Sequence, residues 1–176
     1  MTTEAKSPVR WGILSTANIA TKVARAIHLA RNADLIAVAS RTEERATAWG
    51  QEHNVATTYD TYDELLADDS LDAIYIPLPP SLHAEWTIKA AEHGKHVLCE
   101  KPLAANTDEA IAMADVCRQN GVQLMDGVMW VHHERTAVMK QKLIDDTLGR
   151  LRRVTAAFTF NWETIPVGNI LSLIHI

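Results

Sequence analysis

The feature that most narrows the fold is an alternation. Short apolar runs rich in β-branched residues are separated, repeatedly, by stretches whose apolar residues recur at helical spacing. Strands made from such runs have no polar face, so both faces must be covered, and the intervening helices supply the cover. The chain is therefore predicted to be α/β, a doubly wound parallel sheet with crossover helices. Val9 to Leu14 is the first strand, and Ile19, Val23, Ile27 and Ala30 mark a helix after it. Leu35 to Ala39 is the second strand, Thr42 to His53 the second helix, and Thr57 to Tyr59 a short third strand. Thr61 with Glu64 forms a capping-box signature for the next helix. Leu71 to Ile76 is the fourth strand, stopped by Pro77, Pro79 and Pro80, after which Ser81 is expected to cap a helix that Gly94 ends. His96 to Cys99 is the fifth strand; Asn106 and Glu109 open a helix, Gly121 closes it, and Val122 to Asp126 is the sixth strand. The strand ends near Leu14, Ala39, Ile76, Cys99 and Asp126 should share one edge of the sheet.

After this the texture changes. A helix is expected from about Glu134 to Asp145, and then Val154, Ala156, Phe158, Phe160 and Trp162 alternate with Thr155, Ala157, Thr159 and Asn161. That period of two predicts a strand with one apolar face, as in an open sheet. The expected organisation is a flexible N-terminus at 1–8, one domain at 9–127 and the beginning of a second α+β domain, cut short, at 128–166. Residues 167–176, ending in LSLIHI, resemble translated adapter sequence more than a native terminus and are set aside.

Composition excludes several function classes. The 176 residues are 47% hydrophobic and 22% charged, and carry a formal charge of −5, with Arg150, Arg152 and Arg153 as the one basic cluster. Phosphate neutralisation needs many clustered cations, so no nucleic-acid partner is expected. No apolar run approaches the roughly 20 residues that span a bilayer, and residues 1–8 lack a signal-peptide core; no membrane partner and a cytoplasmic location are expected. Cys99 and Cys117 have no metal-ligand spacing, and the adjacent His132 and His133 point in different directions, so no metal site is expected.

The residues that carry chemistry lie at the predicted strand ends. The turn after the first strand, Gly12-Ile13-Leu14-Ser15-Thr16-Ala17-Asn18-Ile19-Ala20, has its best register against the dinucleotide fingerprint GxGxxG/A at Ser15, Ala17 and Ala20, with two of the three glycines missing, and taken alone it also reads as an ordinary strand-to-helix turn. Small residues let the backbone approach a pyrophosphate at the positive end of the following helix. The second strand ends in Ser40-Arg41, where a carboxylate would otherwise hold a ribose 2′-hydroxyl, and Arg45 lies four residues beyond Arg41. Two guanidinium groups there suit a 2′-phosphate, favouring NADP over NAD. The same residues also read as a solvated helix start with Glu43 and Glu44 as partners, and both readings stand. The fourth strand runs into Pro77-Leu78-Pro79-Pro80-Ser81-Leu82-His83, and the fifth into Glu100-Lys101-Pro102.

On these motifs the chain, over about Val9 to Trp162, resembles the Gfo/Idh/MocA family of oxidoreductases, and Cys99-Glu100-Lys101-Pro102 carries most of the likeness. Trp11, Arg41, Arg45, Met125 and Trp130 approximate the dihydrodiol and xylose dehydrogenase branch, while His132 and Glu134 depart from its pattern. The resemblance implies a Rossmann-type domain and an enzyme that moves hydride between a nicotinamide and a CH–OH or carbonyl group of a sugar, polyol or cyclic diol. It implies Lys101 as the catalytic group beside the nicotinamide. Glu100 would position Lys101 or the ribose, His83 would line the nicotinamide side, and Ser15, Thr16, Ala17, Asn18, Ile19, Ser40, Arg41, Arg45, Pro77, Leu78, Pro79 and Trp130 would complete the cofactor site. It also implies a homo-oligomer formed through a second-domain sheet, and a fragment that binds cofactor better than it catalyses. A non-catalytic dinucleotide-binding sensor is the alternative, although such a protein has no need of Glu100-Lys101-Pro102. The sequence geometry further predicts a cis bond between Lys101 and Pro102, which would turn the chain sharply at the sheet edge.

Overall fold

The computed structural model describes residues 7–147 and 149–157. The chain divides into two compact units, Met1–Gly127 and Val128–Ile176. In the first, six strands form a parallel sheet: β1 (Val9–Leu14), β2 (Ala33–Ala39), β3 (Thr57–Tyr59), β4 (Ala73–Ile76), β5 (His96–Cys99) and β6 (Leu124–Asp126). Their spatial order is β3-β2-β1-β4-β5-β6, and every neighbouring pair is parallel. The helices between them are α1 (Asn18–Leu29), α2 (Glu43–His53), α3 (Tyr62–Ala67), α4 (His83–Glu92) and α5 (Thr107–Gln119). The α/β architecture and the five predicted strand ends on one edge agree with the sequence pattern.

Alternation along the strands sorts the core into two layers. Ile13, Val38 and Tyr75 pack with Ala20, Ala24 and Ile27 of α1 and Trp49 of α2. Their neighbours Leu14, Ala37, Ala39, Ile74 and Ile76 pack on the other face with Leu65 and Leu66 of α3, Ala90 of α4 and Met113 of α5. The spacing of Ala20, Ala24 and Ile27 gives α1 one apolar stripe, and alanines let it sit close to the sheet.

Local signals fix most boundaries. Thr42, Thr61 and Asn106 cap α2, α3 and α5 by accepting the N–H of Arg45, Glu64 and Glu109. Gly94 and Gly121 follow α4 and α5 with φ of +70° and +68°. Ser81 does not cap α4 as expected: Pro80–Leu82 form a 3-10 turn leading directly into the helix, with no side-chain cap. The prolines that stop β4 have already bent the chain, so α4 begins without a break for a cap to fill. The fourth strand is also shorter than predicted, because Leu71 and Asp72 belong to the turn before it. That turn is pinned by buried Lys95, whose Nζ donates to the carbonyls of Asp68 (2.7 Å) and Leu71 (3.0 Å).

In the second unit, a 3-10 turn at Met129–His132 precedes α6 (Glu134–Ile144). The predicted strand from Val154 is absent from the described residues: Leu151–Ala157 have no regular structure, and Phe158, Phe160 and Trp162 lie outside the described residues. Period-two patterning makes a face, but a strand also needs a neighbour for its backbone hydrogen bonds, and the described part of this unit offers none.

Candidate functional site

The strand order reverses direction between β1 and β4. The segment leaving β1 enters α1 on one face and the segment leaving β4 enters α4 on the other, so a crevice opens at their carboxyl ends. The turn at Ser15-Thr16-Ala17 forms one wall. Ser15 has φ of 138°, a region that favours glycine, which accounts for the glycine usual in this slot. Ala17 is the N-cap of α1 with no side-chain bond, and the first turn, starting at Asn18 and Ile19, holds no acidic residue. By contrast α2, α3 and α5 each have a side-chain cap and two acidic residues in the first turn. The Ala20 N–H donates to the Ala17 carbonyl at 2.8 Å, and no side chain caps the start of α1.

Beside this wall, Ser40 is buried at the end of β2 and its Oγ lies 3.4 Å from Thr16 Oγ1. Arg45 Nη2 donates to the same Thr16 oxygen at 3.4 Å. Arg41 is exposed just before the Thr42 cap and does not itself open the helix. Arg41 thus follows the end of β2 directly, and the Arg45 guanidinium is tied to the turn after β1.

The opposite wall is Pro77, Leu78 and Pro79, of which the first two are buried. His83 opens α4 beyond this wall. It is fully buried, with Nε2 2.7 Å from the carbonyl of Leu78 and Nδ1 2.9 Å from that of Pro102. Each ring nitrogen lies within hydrogen-bond distance of a backbone carbonyl, and whichever carries the proton donates, so His83 links the two loops. Its position at the start of α4, under the proline-rich turn, draws it inward.

The Lys101–Pro102 bond is cis, as the sequence predicted. Lys101 is exposed at the sheet edge, and among the described residues it has no ion pair. Glu100 is held on both oxygens: Tyr75 Oη donates to Oε1 at 2.7 Å and the Lys101 N–H donates to Oε2 at 3.2 Å. Burial, and then the bond to Glu100, push the Tyr75 phenol well above its ordinary range, so it acts as a donor. Cys99 is buried immediately before this segment, and burial pushes its thiol up to about 12, which disqualifies it as a nucleophile. Tyr75 was not singled out from the sequence; a polar-tipped ring inside the otherwise apolar run Ala73–Ile76 was the available signal. Trp130 lies exposed in the second unit.

Comparison with known proteins agrees with this arrangement. Residues 9–128 match the model of the Gfo/Idh/MocA oxidoreductase family, NAD-binding Rossmann fold. The chain is 46% identical over 150 residues to a D-xylose 1-dehydrogenase (NADP(+)) of Haloferax volcanii, covering 85% of this chain and 46% of that protein. It is 35% identical over 167 residues to a scyllo-inositol 2-dehydrogenase (NADP(+)) of Bacillus subtilis, covering 93% and 50%. Among solved structures, a 3-ketoreductase from Actinomadura kijaniata in complex with TDP-benzene and NADP superposes with a TM-score of 0.73 at 34% identity, covering 79% of this chain and 44% of that one. The chain spans about half the length of the curated relatives it matches. Fold and sequence agree, and the chain belongs to the Gfo/Idh/MocA oxidoreductase family through its NAD-binding Rossmann fold.

Proposed function

We propose that this chain is the cofactor-holding part of an NADP-dependent enzyme that interconverts a hydroxyl and a carbonyl group on a sugar, polyol or cyclic diol. The observation that carries the proposal is the uncapped, acid-free start of α1 beside Ser40, Arg41 and Arg45, an arrangement with room for a pyrophosphate and positive charge for a 2′-phosphate. The NADP-linked names of the xylose and inositol dehydrogenases that resemble it support the same choice.

The nicotinamide of bound NADP supplies the hydride chemistry. In this reading Ser15, Thr16, Ala17, Asn18 and Ile19 receive the pyrophosphate, and Ser40, Arg41 and Arg45 receive the phosphorylated ribose. Pro77, Leu78 and Pro79 form the wall facing the nicotinamide half, with His83 holding that wall in place. The Lys101 ammonium polarises the substrate oxygen or moves its proton. Glu100-Lys101-Pro102 favours an enzyme over a sensor, since cofactor binding alone gives no use to an exposed lysine held at that edge.

Fluorescence titration with NADPH, together with competition by adenosine 2′,5′-bisphosphate, tests the proposal. Saturable binding of both is expected. A chain that binds neither is not a cofactor-holding unit.

A further inference from the structure

The link between Tyr75 and Glu100 follows from register. Tyr75 pairs with Leu98 across β4 and β5, and Glu100, two residues on from Leu98, returns to the same face of the sheet. The Tyr75 ring is fully buried in the layer containing Ile13, Val38 and Trp49, so the phenol has one place to send its hydroxyl. Glu100 is confined from a third side by Gly127, whose N–H donates to the Cys99 carbonyl at 2.7 Å. A Cβ at Gly127 would meet Glu100 Cα, Glu100 Cδ and the Cys99 oxygen, each at 3.3 Å. Glycine is what allows the segment after β6 to lie against Glu100 this closely. The carboxylate is thus fixed by β4, by its own strand end and by the chain leaving β6, and its second oxygen holds the N–H of Lys101.

We infer that Tyr75 is a positioning residue that acts through the Glu100 carboxylate to fix the backbone of Lys101, and with it the nicotinamide end of the site. The inference rests on the proposed cofactor reading and adds a residue to it. The Tyr75 hydroxyl lies inside the sheet layer and reaches the site through Glu100 alone. Its removal should therefore affect the nicotinamide end and leave the adenosine end as it was.

The experiment compares the 176-residue chain with its Tyr75→Phe variant, which keeps the buried ring and deletes the hydroxyl. Each is titrated with NADPH and with adenosine 2′,5′-bisphosphate, which carries the 2′-phosphate end and no nicotinamide. Loosening the Lys101 anchor by the equivalent of one typical hydrogen bond should weaken NADPH about five- to ten-fold and change the bisphosphate by less than about two-fold. In a Glu100→Ala background the Tyr75→Phe change should add nothing, because the route through the carboxylate is already gone. Equal weakening of both ligands, no weakening of NADPH, or effects that multiply in the double variant would each overturn the inference while leaving the cofactor reading intact. A parent chain that binds neither ligand overturns both.

Discussion

Arg45 and Thr16 belong to different helices' approaches yet meet at 3.4 Å, guanidinium Nη2 to hydroxyl Oγ1, which ties the start of α2 to the turn that leaves β1. Thr16 also faces Ser40, so three side chains join the two strand ends where an adenosine ribose would lie between them. The contact holds Arg45 toward that corner instead of along the solvated flank of α2.

The first prediction concerns this corner. Arg45→Ala and Arg41→Ala should each weaken NADP binding by about 1–3 kcal/mol, the range for a charge-assisted hydrogen bond, and leave NAD binding nearly unchanged. Calorimetric titration with both nucleotides measures the difference. Equal losses for NADP and NAD would remove the 2′-phosphate role and leave the solvated-helix interpretation.

A second prediction follows from the backbone at Ser15. With φ at 138°, this residue occupies a conformation that an L side chain enters at a cost of about 1–3 kcal/mol. Ser15→Gly should be neutral or stabilise the chain by up to about 1 kcal/mol, although glycine in a strand or helix interior usually destabilises by a similar amount. Ser15→Val should destabilise it by at least about 1 kcal/mol, because a β-branched side chain fits this region worst. Urea denaturation of the three proteins decides the matter, and a marked loss of stability in Ser15→Gly would argue against strain at this turn.

The third prediction is a pH dependence. Arg10 grips Asp72 with Nη2 at 2.7 Å from Oδ1 and Nε at 3.0 Å from Oδ2, and its N–H adds a bond of 2.8 Å to Oδ2. The side-chain bond to Arg10, followed by the backbone bond, holds the Asp72 carboxyl down at about 2. A depressed carboxyl contributes stability that is fully present above its unfolded value of about 4 and is lost as pH falls through its folded value. Denaturation midpoints measured between about pH 5 and pH 2 should fall less steeply for Asp72→Asn than for the parent. The difference should be modest and should shrink with added salt, since the two side chains are 44% and 37% exposed. Identical slopes in parent and variant would show that the pair does not contribute.

What could be read from the sequence, and what could not, divides along the range of the interactions. The starts of α2, α3 and α5 were legible because a cap is decided within four residues, as Thr42, Thr61 and Asn106 demonstrate. The ends of five strands were legible because apolar runs meet Pro, Gly or polar residues there. The burial of His83 was not legible because it depends on Leu78 on one side and Pro102 on the other, and the second of these is brought in by a different strand. Tyr75 escaped notice for a related reason: its partner Glu100 is set by the register of β4 on β5, which no local pattern encodes. The pattern from Val154 was as clear, yet residues 151–157 hold no strand, and the rest of that pattern lies outside the described residues.

The strand order also bears on how the chain is made. β1 is synthesised before the other five strands, yet it occupies an interior place in the sheet, between β2 and β4. β2 follows after one helix, whereas the other flank of β1 stays open until Ala73–Ile76 has been synthesised, with α2, β3 and α3 made in the meantime. During that interval the growing polypeptide carries an uncovered edge on what will become a buried strand, the kind of edge at which nascent chains associate wrongly. Arrival of β4 closes that edge and creates the β1/β4 crevice in the same step, so the nascent chain gains its protection against mispairing and the framework of its binding site together.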